Sequence, residues 1–158
     1  MNTLQIQKAL QENVITRSIF LGVFPSDRLP TNIQRHPTCF IANVDSSGEP
    51  GSHWIACYIS DTQRIEFFDS FGHSPAAFPG PLYTYITRFA EMDFNPIPLQ
   101  SNVTAVCGHY CIYYIYSRCR GYTLKEIVAP FVPSHINNDI KVYNFVTKYF
   151  NVHANFYQ

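Results

Sequence analysis

The pattern of apolar and polar positions along the chain predicts a short helix followed by an irregular segment. Ile6, Leu10 and Val14 recur every four residues and define one face of an amphipathic helix over residues 3–14. Residues 20–37 combine apolar side chains with three prolines, so we expect an ordered but irregular path there rather than a linker.

Three runs rich in β-branched and aromatic residues come next, at residues 38–44, 53–59 and 64–68. Turn-forming residues separate them, and short turns between successive strands favour antiparallel pairing. A further run at residues 97–100 is interpreted as an edge strand. The central element is therefore predicted to be a small mixed or antiparallel sheet.

Helical spacing dominates the second half of the chain. Pro81 suits the first position of a helix whose apolar residues recur up to Phe89. A longer, buried helix is predicted over residues 107–120, with Gly121 as its left-handed cap. Together with the strands, these patterns indicate an α+β fold in which helices flank the sheet. A last helix is predicted from the apolar positions Ile136, Ile140, Tyr143 and Phe150.

Composition places the chain among folded proteins. Of its 158 residues, 46% are hydrophobic and 14% are charged, and the length suits a single domain over residues 1–158. Lysine plus arginine and aspartate plus glutamate each total 11, so the net charge is zero and general attraction to DNA is not expected. No apolar run is long enough to span a bilayer, and we expect a monomer without a membrane partner.

The five cysteines are an odd number, and the segment MNTLQIQKAL lacks the basic-then-apolar pattern of a secretion signal. We therefore expect reduced thiols in a cytosol or nucleus, in a protein that is not secreted.

Cys107 is the cysteine best placed to act as a nucleophile. A thiolate needs surroundings that stabilise negative charge, and the start of the predicted helix offers unpaired N–H groups and a favourable dipole. Gly108 follows without a side chain, which would let a substrate backbone approach. The alternative for Cys107 is a buried residue that caps a core helix. A zinc site of Cys107, His109 and Cys111 is disfavoured, because the middle residue of such a helical set points away from the other two.

Three further residues are candidates for the same site. His53 begins a predicted strand, where a base is held rigidly, although a half-exposed strand-end histidine is an equal interpretation. Asp69 follows the next predicted strand. It is interpreted either as the acid that orients His53 or as a turn-forming residue. We expect a direct hairpin to separate these two side chains, so that a parallel or non-adjacent arrangement is needed to join them. Gln100 lies seven residues before Cys107, either as an oxyanion donor or as a solvated loop residue.

The segments GSHW, FFDSFG and QSNVTAVCGHYC stand in an order that resembles the adenovirus protease (adenain) family and, more remotely, the ubiquitin-like-protein proteases. The resemblance begins with FLGVFPSDRLP and CFIANVDSSGEPGSHW and spans about residues 18–120. Papain-like and caspase signatures are absent, and the histidine precedes the cysteine here.

The resemblance implies a single-domain α+β cysteine protease with its nucleophile at a buried helix N-terminus. It implies that Cys107 is the nucleophile, His53 the general base, Asp69 the orienting acid and Gln100 an oxyanion donor. Trp54 looks like the aromatic residue that narrows the substrate cleft in related enzymes, and ordinary core packing explains it equally well. Cleavage at glycine-containing sites follows from the same likeness.

Two departures from the adenoviral enzymes bear on cofactors and partners. Those enzymes have Glu where this chain has Asp69, an acid that ubiquitin-like-protein proteases share. They are activated by DNA and by a peptide linked through a disulfide to a cysteine between the acid and the nucleophile, whereas residues 70–106 contain no cysteine. The sequence therefore requires no cofactor and gives no support for a peptide or DNA activator. These departures favour a relative from another virus, a virophage or a virus-like transposon.

The leading hypothesis is a maturation protease that cleaves capsid or other virion precursors, in the host cytoplasm or nucleus and in the virion. A peptidase of ubiquitin-like modifiers is the enzyme alternative, which Asp69 favours. A catalytically silent interaction module of the virion is the non-enzyme alternative.

Overall fold

Five strands form one mixed sheet in the computed structural model, which describes residues 1–157. The central strands pair antiparallel, whereas the first and last strands pair parallel to their neighbours at the two edges. The predicted α+β class with a small mixed sheet is confirmed. In spatial and chain order, the strands are β1 (Phe20–Pro25), β2 (Thr38–Asn43), β3 (Trp54–Ile59), β4 (Arg64–Phe68) and β5 (Glu91–Phe94).

Helices pack on both faces of this sheet. Among residues 1–157, no helix has the length and hydropathy needed to cross a membrane. The helices are α1 (Thr3–Glu12), α2 (Pro81–Ile86), α3 (Cys107–Cys119), α4 (Leu124–Val128) and α5 (His135–Phe150), with a 3₁₀ turn at Pro75–Ala77.

Alternation along the strands produces two apolar cores. One face of the sheet, with Ala56 and Phe68, packs against α3, where Phe68 stacks on Tyr114 with ring centroids 4.6 Å apart. The opposite face, with Phe40 and Phe67, packs against α2. Each fully buried apolar side chain stabilises the fold by about 1.5–3 kcal/mol relative to an exposed one. The helix with the candidate nucleophile is therefore fixed firmly to the sheet.

The hairpin of β3 and β4 brings its two ends together at one rim of the sheet. Ala56 pairs with Phe68, so His53, just before β3, and Asp69, just after β4, emerge at the same end. Our expectation that a direct hairpin would separate them is wrong. The chain reverses direction in a hairpin, so the start of the first strand faces the end of the second.

Both edge strands differ from the sequence prediction. Residues 20–25 form β1 instead of an irregular segment, because their backbone pairs with β2 and the prolines lie at or beyond the end of the strand. The other edge is β5 rather than residues 97–100, where Leu99 and Gln100 instead donate their N–H groups to the Ser70 carbonyl. β5 is largely exposed and pairs through its backbone, so no apolar alternation revealed it.

Two helices end two or three residues earlier than predicted, and α3 ends one residue earlier, at Cys119, with the predicted left-handed glycine after it. α1 stops at Glu12, so Val14 lies beyond it and is 72% exposed instead of buried. α2 stops at Ile86. α3 is followed by Gly121 with φ 91°, a left-handed conformation that glycine adopts without strain.

α5 turns a partly polar face towards the core. Ile140, from the predicted apolar face, is 45% exposed. The prediction followed hydrophobicity alone and missed that two polar residues gain buried hydrogen-bond partners in the loop before α3. The buried residues of α5 are Asn138, Asp139, Val142 and Val146.

Candidate active site

The rim of the sheet and the start of α3 bring three of the predicted residues together. His53 precedes β3, Asp69 follows β4 and Cys107 opens α3. The Nε2 atom of His53 lies 2.6 Å from Oδ1 of Asp69, and the two side chains are 12% and 0% exposed. Because the carboxylate accepts the Nε2 proton, Nδ1 is the ring nitrogen available to other partners.

The Cys107 thiol lies in surroundings that stabilise negative charge. The His53 side chain and the backbone N–H groups of Trp54 and Gly108 lie beside its sulfur, where each favours the charged form. Val106, the residue before α3, provides no side-chain cap, so the first N–H groups of the helix remain free to face an anion. Since Nε2 of His53 contacts Asp69, the imidazole reaches the sulfur through Nδ1.

Burial opposes charge at each of these groups, and their mutual contacts overcome it. Burial alone would lower the pKa of His53, but hydrogen bonds to Asp69 and Cys107 raise it from 6.5 to about 9. Burial alone would raise the pKa of Cys107, but the hydrogen bond and charge of His53 lower it below its ordinary value. The pKa of Asp69 is also lowered, against its burial, by His53. These shifts favour a thiolate and an imidazolium beside a carboxylate over the neutral thiol and imidazole.

A second histidine holds the other oxygen of Asp69. His73 places Nδ1 2.8 Å from Oδ2, and its backbone N–H donates to the same oxygen at 3.1 Å. The backbone N–H of Phe71 donates to Oδ1 at 3.1 Å. Together with His53, these donors prevent the carboxylate from rotating freely and so fix the imidazole. His73 is not among the residues predicted from the sequence, where its signal is its position four residues after the acid.

Gly72 lets the chain make the turn that returns His73 to Asp69. Its φ is 73°, and a Cβ there would lie 2.7 Å from the backbone of Ile97 and Pro98. A larger residue at this position would push away the segment that leads to Gln100.

Gln100 is buried next to the acid rather than in direct contact with the thiol. It is 2% exposed, and its Oε1 accepts a hydrogen bond from the Ser70 hydroxyl at 2.7 Å. Its Nε2 donates to the Thr104 carbonyl at 3.0 Å. These contacts fix the orientation of the amide. Within residues 1–157 no hydrogen bond joins Gln100 to Cys107, and its oxyanion role stays a prediction.

The chain matches no protein-family model. Its sequence is 27% identical over 126 residues to the cysteine protease S273R of African swine fever virus, a match that covers 71% of this chain and 43% of the relative. This chain therefore spans less than half the length of that curated relative.

The crystal structure of the selenomethionine-labelled pS273R protease of the same virus superposes on this chain with a TM-score of 0.63. The match has 20% sequence identity and covers 97% of this chain and 68% of the other. This chain has the fold of a viral cysteine protease.

Trp54, the predicted cleft residue, is half-buried, and its Nε1 donates to the Met1 carbonyl at 3.2 Å. A cavity of about 390 Å³ adjoins Trp54 and extends along the loop after β2. A larger apolar groove of about 660 Å³ lies between the β5–α3 connection and α4, and its lining includes none of the predicted site residues. Because the smaller cavity borders the residue next to His53, it is the candidate substrate cleft.

Gly108 faces α1 rather than open space. A Cβ there would lie 3.2 Å from Cδ1 of Ile6 and 3.2 Å from Sδ of Met1, so the missing side chain lets α1 approach α3. Its predicted role in substrate binding stays a prediction.

His109, two residues after the nucleophile, is a neutral core residue. Its side chain is fully buried against Tyr143, with ring centroids 5.0 Å apart, and burial lowers its pKa to about 3. In the described part of the chain, no group of three or more His, Cys, Asp or Glu side chains could hold a metal ion.

Proposed function

We propose that this chain is a cysteine endopeptidase of the adenain-like type that cleaves viral precursor proteins. The observation that carries the proposal is the contact of Cys107 with the His53 imidazole, whose other nitrogen lies 2.6 Å from Asp69. The likeness to the cysteine protease S273R supports the same activity.

The chemistry that follows from this arrangement is acyl transfer through a thioester. The Cys107 thiolate attacks the carbonyl carbon of the scissile peptide bond, and the carbonyl oxygen becomes an oxyanion. As this intermediate collapses, the His53 imidazolium gives its Nδ1 proton to the leaving amine. Neutral His53 then takes a proton from water, whose attack on the thioester releases the new carboxyl terminus and restores the ion pair. Asp69 stays ionised and keeps the ring oriented.

Gln100 and the backbone N–H of Cys107 are the proposed oxyanion donors. The Cys107 N–H lies in the first turn of α3, where the helix offers it no acceptor. Nε2 of Gln100 lies 3.0 Å from the carbonyl oxygen of Thr104 and 3.4 Å from its hydroxyl oxygen, and the proposal requires that one of its two hydrogens turns from the more distant hydroxyl to an oxyanion when substrate binds. Loss of one such donor typically lowers kcat by about 10²–10³-fold.

The proposed substrates are capsid or other virion precursors cut at glycine-containing sites. The cavity beside Trp54 supports this choice, because an indole next to the base narrows the cleft so that small substrate residues fit best. The viral source of the similar protease supports a role in particle maturation. The proposed places of action are the host cytoplasm or nucleus and the virion, with the chain as a monomer.

The proposal is tested by incubating the parent protein with a proteome-derived peptide library and identifying new termini by mass spectrometry. We expect cleavage with glycine enriched beside the scissile bond, and no cleavage by Cys107→Ala. Cys119→Ala is the matched control, because Cys119 is another free, partly buried cysteine of α3, and it should cleave like the parent. Cleavage by Cys107→Ala at the parent rate would refute the assignment.

A peptidase of ubiquitin-like modifiers is the second candidate function, and aspartate rather than glutamate at position 69 favours it. The test is an electrophilic probe on the C-terminal glycine of ubiquitin or SUMO. Rapid labelling of Cys107 would support this function. A parent protein that cleaves the peptide library but reacts with neither probe would exclude it.

A further inference from the structure

The segment between β5 and α3 carries Gln100 and leads directly into Cys107. Residues 95–106 form no helix and no strand of the sheet, and their regular backbone pairing is limited to the end that precedes α3, where Thr104 forms an isolated β-bridge with Tyr157. One side of the segment is held by the end of the acid-bearing strand. There the Ser70 carbonyl accepts the N–H groups of Leu99 at 2.8 Å and Gln100 at 3.0 Å.

The other side of the segment is held by a buried aspartate of α5. Asp139 is 0% exposed, and its Oδ2 accepts from the Ser101 N–H at 3.1 Å and from the Thr104 hydroxyl at 2.8 Å. Its Oδ1 accepts from the hydroxyl of Tyr110, one turn into α3, at 2.9 Å. The Tyr110 hydroxyl lies closer to Oδ1 than to the Leu99 carbonyl at 3.1 Å, so all three partners act as donors. These donors favour an ionised carboxylate, against the burial that raises the pKa of Asp139. A single side chain therefore joins the loop, α3 and α5.

Thr104 connects this carboxylate to the Gln100 amide. The Thr104 hydroxyl has one hydrogen, and the oxygen of Asp139 at 2.8 Å is a closer acceptor than the Ser101 carbonyl at 3.2 Å. The hydroxyl oxygen therefore faces Gln100 as an acceptor, next to the Thr104 carbonyl that already holds Nε2. Asp139 thus acts through Thr104, together with the contacts from Ser70, to set where the amide of Gln100 lies.

We propose that Asp139 is a positioning residue for the oxyanion site, which holds the loop so that the Gln100 amide reaches a substrate carbonyl bound at Cys107. This inference rests on the proposed function. The hydrogen bonds of Asp139 run to Ser101, Thr104 and Tyr110 and not to the groups that form the thiolate. Its loss should therefore slow the steps that form an oxyanion and spare the ionisation of the thiol.

Two reactions of Cys107 separate these effects. Alkylation by iodoacetamide needs a thiolate but forms no oxyanion. Acetylation by 4-nitrophenyl acetate forms a tetrahedral oxyanion, then an acetyl thioester, and releases 4-nitrophenolate as a burst. Cys119 is replaced by alanine throughout, because it is partly exposed and a hydrogen bond to Cys39 lowers its pKa as well.

For Asp139→Asn we expect the burst rate to fall about 10- to 100-fold, because displacing a catalytic group by about 1 Å costs about that much. The alkylation rate should stay close to that of the parent. Val142→Ala is the matched control, because it removes a buried contact of α5 and touches no loop hydrogen bond. It should keep the parent ratio of the two rates.

An Asp139→Asn protein with the parent burst rate would overturn the inference. An equal fall of both rates would also overturn it, because that result indicates a general loss of structure. If Asp139→Asn does not fold, Thr104→Val removes the hydroxyl link with little change in volume and must separate the two rates in the same way. A parent protein that is alkylated rapidly but gives no burst contradicts the proposed peptidase function itself, so the two failures are distinguishable.

Discussion

Replacing Asp69 with asparagine tests the electrostatics of the site directly. The change keeps the size of the side chain and removes its charge. In the parent two imidazoles donate to the carboxylate, and in the variant one of them faces an amide donor instead of an acceptor. The pKa of His53 is about 9 against an ordinary value of 6.5. That difference is worth about 3.4 kcal/mol, since one pKa unit corresponds to about 1.36 kcal/mol.

Two partners, Asp69 and Cys107, produce this rise against the effect of burial. We therefore expect the charge of Asp69 to stabilise the ion pair by about 1–2 kcal/mol, which corresponds to an about 5- to 30-fold change in its equilibrium constant. Asp69→Asn should lower the thiolate fraction by up to that factor at neutral pH. Its kcat/KM should fall further, by about 10²–10⁴-fold, because the ring of His53 also loses its orientation.

The assay is the rate of Cys107 alkylation by iodoacetamide as a function of pH, again with Cys119 replaced by alanine. Asp69→Asn should react more slowly than the parent at pH 6–7 and approach it at high pH, where any thiol ionises. Asp93→Asn removes an exposed carboxylate on β5 and serves as the control, with parent-like rates expected. Parent-like alkylation of Asp69→Asn at pH 6 would refute the argument that this carboxylate maintains the ion pair.

Other groups in the structure make separate predictions. The kcat/KM of the parent should rise with pH as Cys107, whose pKa is lowered, ionises. It should fall above about pH 9, where His53 loses the proton that the leaving amine needs. A fall that begins near pH 7 would contradict the ion pair. His73→Ala removes the ring donor to Asp69 and keeps the backbone donor. Steady-state kinetics should show a kcat about fivefold lower at unchanged KM, because one partly exposed hydrogen bond is worth about 1 kcal/mol. An unchanged kcat would show that His73 is not a positioning group. Gly121→Ala, at φ 91° with open space around the new Cβ, should lower the free energy of unfolding in urea by about 1–2 kcal/mol. Gly48→Ala also has open space but no positive φ and should change it by less than about 0.5 kcal/mol, so equal values would contradict the role of backbone strain.

Local patterns were sufficient where the structure depends on near neighbours. The three central strands and the start of α3 at Cys107 lie where turn residues, alternation and helical spacing predicted them. The left-handed conformation of Gly121 was also predictable from local sequence, because φ at a helix end depends on that residue and the turn before it. The order of His53, Asp69 and Cys107 along the chain also suggested a common site. A correct treatment of the β3–β4 hairpin would have placed His53 and Asp69 at one rim of the sheet.

Long-range pairing determined the features that the sequence did not show. β1 and β5 are strands because neighbouring backbones pair with them, and their own side chains carry little periodicity. His73 matters because the turn at Gly72 returns it to the acid, and the sequence alone did not distinguish it from an ordinary turn residue.

The polar face of α5 illustrates the physical reason most clearly. From the sequence alone, Asp139 belongs on an exposed helix face, because burying a lone carboxylate is unfavourable. Its burial becomes favourable only when Ser101, 38 residues away, and two hydroxyl groups donate to it. The sequence by itself therefore determined the three central strands, the start of α3 and the reactive residue types. The tertiary structure determined the edge strands and which buried polar groups find partners, and so how the thiol, the imidazole and the amide are held.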